Sequence, residues 1–278
     1  MSYLGKYKQM PLTFEKLKRL DVHLKEEGYS LDSDLGLILH SDYYSYFVTP
    51  YDVITFASIG CDGIHFGLLT DFGTVSSLED AFVVCISPMD FGSHIKIVAR
   101  NIREFVSLIC TMKDAGAISN FNYFKEEEDY LNLIKDLKQE EIENEEFVKR
   151  TNYVVEKVIN TIGCEIIDDV YHYVERKVKT EREKQTILPT LDGLGIIALE
   201  NVNRNFNIFK IEKDMIINLN EMEKFFNSAT PESKLAFIRD AQFTCLISDE
   251  IELKELVINE MIKLGLTDEV DRLKNIDD

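Results

Sequence analysis

Gly60-Cys61-Asp62-Gly63-Ile64-His65-Phe66-Gly67 brings a thiol, a carboxylate and an imidazole within five positions. Chemically, Cys61 offers a nucleophile, and Asp62 with His65 offers metal ligands or an acid–base pair. The same stretch describes a tight turn between two strands, in which Gly60 and Gly63 take positive φ and Asp62 hydrogen-bonds the turn backbone. The sequence supplies no defined partner for Cys61, Asp62 or His65, so the turn is the expectation. In a strand starting near Ile64, His65 faces away from Ile64 and Phe66. A second cluster, Asp168-Asp169-Val170-Tyr171-His172-Tyr173, sets carboxylates, an imidazole and a phenol side by side, the parts of an acid–base site. It also reads as an ordinary polar surface pattern. Asp192 precedes Gly193 in a further turn.

No stronger chemical signature accompanies these clusters. The five histidines form no HxH or HExxH arrangement, and the chain has no GxGxxG, GxxxxGK[ST] or GxSxG motif. The five cysteines (61, 85, 110, 164 and 245) include no CxxC pair and form no secreted disulfide pattern. The sequence therefore implies no metal, no cofactor and a reducing cytoplasmic setting. The first ten residues, MSYLGKYKQM, do not read as a signal peptide, and no apolar run has the length of a membrane span.

Charge narrows the partner class. The 278 residues carry 31 basic and 50 acidic side chains, a formal charge of −19, which argues against nucleic-acid binding through phosphates. Residues 1–118 hold nine of the thirteen glycines at net −5, and residues 119–278 hold four at net −14. That shift places a domain boundary near Gly116: an α+β unit over 1–116, then a mainly helical acidic unit over 117–278 with at most a small sheet. The carboxylates gather at Glu126, Glu127, Glu128 and Asp129, then at Glu140, Glu141, Glu145 and Glu146. They describe either a solvated helix face or a surface that steers a basic protein partner.

The elements that position these residues follow from periodicity. Thr13 caps an amphipathic helix that Gly28 ends. Asp52–Ala57, Ile64–Thr70 and Phe82–Ser87 read as strands of a twisted antiparallel sheet, the first two as a hairpin, with Lys96–Ala99 a further strand. Asn101 caps a helix with Ile102, Phe105, Val106 and Ile109 on one face. Lys125 to Asn160 reads as one long helix or two abutting ones, and Asp168–Lys179 as strand or helix. Thr186–Thr190 and Leu194–Leu199 read as short strands. Helices capped by Asn220, Thr230 (with Pro231 in the first turn) and Ser248 follow, and Thr267 begins a last one. The basic stretch Arg176–Arg182 suits either the Glu-rich helix or a phosphate.

Three phrases carry a family resemblance. They are Phe56-Ala57-Ser58-Ile59-Gly60-Cys61-Asp62-Gly63-Ile64-His65-Phe66-Gly67, Cys85-Ile86-Ser87-Pro88-Met89-Asp90, and Val98-Ala99-Arg100-Asn101-Ile102-Arg103-Glu104-Phe105. Residues 10–113 thereby resemble the SUKH (SMI1/KNR4-like) superfamily in its uncharacterised bacterial branch. The resemblance implies a compact α+β domain that binds and neutralises a toxin, often a nuclease, without chemistry of its own. The first expectation is thus a non-catalytic cytoplasmic binding protein, of toxin-immunity or phage anti-defence type. The alternative is an enzyme, such as a hydrolase, with Asp62, His65, Asp168, His172 and Asp192 around a cleft between the halves. Convergence of three of these five on one pocket would favour the enzyme.

Overall fold

Apolar alternation and turn chemistry build a sheet first, and amphipathic helices then cover it. A computed structural model describes residues 4–199, 205–212 and 217–275. Helix α1 (Leu12–Glu26) and the short α2 (Leu31–Leu35) lead into β1 (Ile38–Leu39), β2 (Val53–Ser58), β3 (His65–Leu69), β4 (Val83–Ile86) and β5 (Ile95–Ala99). The five strands form an antiparallel meander in sequence order. The fold is α+β, with a mostly helical C-terminal region. Every residue of β2, β3 and β4 is buried. On one face Phe56 and Phe66 pack on Phe105, with ring centroids at 5.5 and 4.7 Å. Phe14 of α1 meets Phe56 edge-on at 6.3 Å.

The β2–β3 connection is the expected hairpin. Ser58 pairs with His65, Ile64 N–H donates to Cys61 O at 3.0 Å, and Ile59 N–H donates to Ile64 O at 3.2 Å. Asp62 (φ 51°) and Gly63 (φ 68°) both take positive φ, as a type I′ turn demands at its two central positions. Asp62 acts through this backbone conformation: among the described residues its carboxylate makes no hydrogen bond to the turn. A Cβ on Gly63 would stand 2.7 Å from the Tyr46 ring. Gly63→Ala is therefore expected to cost about 1 kcal/mol or more and lower the melting temperature. Cys61→Ala, at an exposed position, should melt like the parent. Equal melting of the Gly63 variant would show that the turn is not strained as described.

Helix α3 (Ile102–Met112) is capped by Asn101, whose side chain accepts from Glu104 N at 2.9 Å. After α4 (Ala115–Ser119) come α5 (Glu127–Glu143) and α6 (Glu145–Ile162), two abutting helices that break at Asn144. Asp169 caps α7 (Val170–His172), which continues through a π-helical turn (Tyr173–Val178) into α8 (Lys179–Gln185). The ambiguous 168–179 segment is thus helical from Val170. The small strands β6 (Thr186–Leu188) and β7 (Ile196–Ile197) pair antiparallel. The C-terminal helices are α9 (Leu219–Ser228), α10 (Pro231–Phe243), α11 (Leu246–Asp249), α12 (Ile251–Lys263) and α13 (Thr267–Asn275).

Three caps differ from expectation. Helix α1 starts two residues early, at Leu12 with Pro11 at the cap position, and Thr13 instead bonds Glu79 through its N–H and hydroxyl. Asn218, not Asn220, caps α9, because its side chain reaches Asn220 N and Glu221 N. Ser248 lies within α11, and α12 begins after Glu250.

The composition change at Gly116 is not where the cores divide. One core runs from Leu4 to Val178 with Leu194, so that Val154, Val158 and Val174 share it with the sheet. Helix α6 supplies the join by packing on α1, α2 and α3. The second core collects Met222, Phe225, Phe237, Val257 and their neighbours from α9–α13, together with Leu188 and Ile196. Tyr51 and Phe72, from either side of the β2–β3 hairpin, belong to this second core.

Candidate functional site

The five residues of the enzyme reading lie in three places. His65 is fully buried beneath the loop between β1 and β2, stacked on Tyr46 of that loop at 5.8 Å and met edge-on by Tyr44. Its Nδ1 lies 2.7 Å from Gly63 O and its Nε2 2.9 Å from Thr49 Oγ1. A carbonyl only accepts, so Nδ1 carries the proton and Nε2 accepts from the threonine hydroxyl. Burial pushes the imidazole pKa down to about 4; the Gly63 carbonyl opposes that shift and His40 adds to it. With both nitrogens occupied and the ring neutral, His65 has no lone pair to offer a metal or substrate. Asp62 is exposed at the hairpin tip, and Asp168 and His172 are exposed around the start of α7. Asp192 is buried between β6 and β7, where it lines a cavity of about 450 Å³ that none of the other four lines. Among the described residues no group of three His, Cys, Asp or Glu side chains is arranged to hold a metal ion.

Asp192 instead belongs to a buried ionic network that local sequence reading missed. Arg239 of α10 donates to Asp52 Oδ2 at 2.6 Å and to Asp192 Oδ2 at 3.3 Å, with Asp71 Oδ1 at 3.6 Å. Arg182 of α8 grips Asp71 with two nitrogens, at 2.8 and 2.6 Å, and also donates to Leu194 O and Gly195 O. The basic 176–182 stretch therefore sends its last arginine inward to Asp71 rather than to the Glu-rich helix. All five side chains are at least nine-tenths buried. Burial raises the Asp52 pKa; Arg239 opposes this, while Asp71 and Asp192 reinforce it. Burial also works against the Arg239 charge, but the three carboxylates outweigh it and hold the guanidinium above its usual pKa. Gln242 of α10 adds contacts with Tyr51 N and Thr49 O, and Arg272 of α13 donates to Tyr51 O. The network ties the end of the sheet to the C-terminal helices. The detectable signal was Phe237-Ile238-Arg239-Asp240-Ala241, two charges inside an apolar run.

The acidic residues lie elsewhere, on the α5–α6 hairpin. None of the α5 residues is buried. Glu126, Glu127, Glu128, Glu140, Glu145 and Glu146 are exposed, whereas two predicted members have local duties. Asp129 accepts the N–H groups of Lys125 and Glu126, which hold its pKa below the usual carboxylate range. Glu141 pairs with Lys113 at 2.8 Å. At 1.5 Å per residue the two acidic sets stand about 20 Å apart along α5. Glu140 and Glu141 of the second set line a groove of about 660 Å³ between α2, the end of α3 and the α5–α6 elbow. Leu35, Met112, Leu137, Phe147 and Val148 supply its apolar lining, and Asp32, Glu140 and Glu143 stand exposed at its rim.

No protein-family model matches the chain, and no curated protein matches it. No helix among the described residues is long and apolar enough to cross a membrane.

Proposed function

We propose that this is a non-catalytic, cytoplasmic binding protein that neutralises or inhibits a partner protein by stoichiometric association, as a toxin-immunity factor or a phage-encoded inhibitor does. The supporting observation is the α5–α6 pair, which presents six exposed carboxylates on helices anchored to α1, α2 and α3 through α6. The SUKH resemblance of residues 10–113 points the same way. A surface of this kind raises the encounter rate with a basic protein by long-range attraction, and added salt removes the advantage as the screening length falls below about 10 Å.

The test is association kinetics with the partner purified from the producing cell. Glu126, Glu127 and Glu128 are reversed to Lys as one set, and Glu140, Glu145 and Glu146 as another. Asp129 and Glu141 stay unchanged because they hold local structure. Reversal of the set that faces the partner should slow association several-fold and flatten its salt dependence, with the melting temperature held, since exposed charges contribute little to stability. Unchanged association with both sets reversed would reduce the hairpin to a solvated face and overturn this reading.

A further inference from the structure

We infer that the groove at the α5–α6 elbow receives a basic segment of the partner, with one bulky apolar side chain seated between flanking Lys or Arg residues; this deepens the binding reading above and rests on it. Groove shape and charge set the chemistry together. The floor is apolar, made by Leu35 of α2, Met112 of α3 and Leu137 of α5. Phe147, in the first turn of α6, stands 44 % exposed on the wall. A volume of about 660 Å³ lies within the range that holds a small ligand or a large anchoring side chain with its neighbours.

The charge around that floor has one sign. Five carboxylates line the groove (Asp32, Asp114, Glu140, Glu141 and Glu143), and its lining includes one cation, Lys113. Glu141 already neutralises that lysine, and Asp114 spends an oxygen on Gly116 N at 2.8 Å. Asp32, Glu140 and Glu143 remain exposed at the rim. An anionic or purely apolar occupant would leave these three without counter-charges. A polyamine or bare metal cation would leave the apolar floor uncovered. A cationic segment with an apolar anchor satisfies both, as anchors ringed by polar contacts do at protein interfaces.

The chain contains no tryptophan, so a single tryptophan in a probe peptide reports binding without interference. The probe is a synthetic Lys- and Leu-rich amphipathic peptide with one central Trp, titrated against the full-length protein. Expected are a blue-shifted Trp emission, one peptide bound per chain, and weakening with salt. Glu140→Lys combined with Glu143→Lys should weaken binding about tenfold or more, and Phe147→Ala several-fold. Reversal of Glu127 and Glu128, at the far end of α5, should leave it within about twofold. Spermine should compete only weakly, because it has no anchor.

Absence of peptide binding, equal loss from reversal at either end of α5, or full competition by spermine would each overturn the inference. The same elbow variants are then measured with the natural partner. Partner association that responds to Glu126–Glu128 and not to Glu140, Glu143 or Phe147 removes the groove and leaves the binding function standing. Partner association that ignores every acidic variant removes both.

Discussion

Arg239→Met is expected to destabilise the protein by about 3–5 kcal/mol, the cost of leaving buried carboxylates without their counter-charge. Arg239 holds Asp52 and Asp192 directly and faces Asp71, and all of these groups are shielded from water. In the variant Arg182 is the remaining guanidinium for three carboxylates, and it is fully occupied by Asp71, Leu194 and Gly195. In a chain of this size the loss lowers the melting temperature by on the order of 10 °C. Adding Asp52→Asn removes the charge that Arg239 neutralised most closely, while the amide oxygen still accepts from Phe72 N. The double variant should therefore be more stable than Arg239→Met alone, a non-additivity read from denaturant melts of the four proteins. Equal stability of parent and Arg239→Met would show that the network does not hold the two cores together.

Acid should destabilise the parent more than His65→Gln. The folded protein keeps His65 neutral, with its pKa pushed down to about 4, against an ordinary value of 6.5. Between those values the unfolded chain binds a proton that the folded chain does not. Stability therefore falls as pH falls from about 6.5 to about 4, and this contribution is constant below that. The gap corresponds to about 3 kcal/mol. Glutamine can donate to Gly63 O and accept from Thr49 without titrating. The comparison must be made against that variant, because Asp240, raised by burial to about 6, contributes with the opposite sign over the same range. Urea midpoints of the two proteins at pH 7 and pH 4 give the result. Parallel midpoints would mean that the His65 ring gains a proton in the folded state without penalty.

Local order was legible where local chemistry decides it. Asn101 and Thr230-Pro231 start helices because their side chain or ring serves the first turn, wherever the helix then packs. The hairpin turn was legible from its glycines, Gly60 and Gly63, which both take positive φ, but the part of Asp62 was not, because it enters through its own positive φ and not through its carboxylate. The ionic network was not legible, since Asp71 meets Arg182 across 111 positions and Asp52 meets Arg239 across 187. No local pattern marks which arginine finds which aspartate. Glycine content and charge change near Gly116, but they carry no record of burial, and the buried side of α6 (Val154, Val155, Val158) shares its core with the sheet. The groove was half visible: its acidic rim is a run of glutamates, but its floor comes from three helices distant in the chain.

The buried network also bears on how this protein can change over generations. Asp52, Asp71, Asp192, Arg182 and Arg239 come from the turns before β2 and after β3, the small β6–β7 hairpin and two helices, yet each buried charge is costly without its counter-charges. A mutation at one of them is harmful until a second arrives, so descent should pass the five on as a block or exchange them together for apolar residues. The exposed glutamates of α5 and α6 carry no such mutual constraint within the fold. The molecule thus pairs a junction whose residues constrain one another with a face whose charges can change one at a time at little cost to the fold.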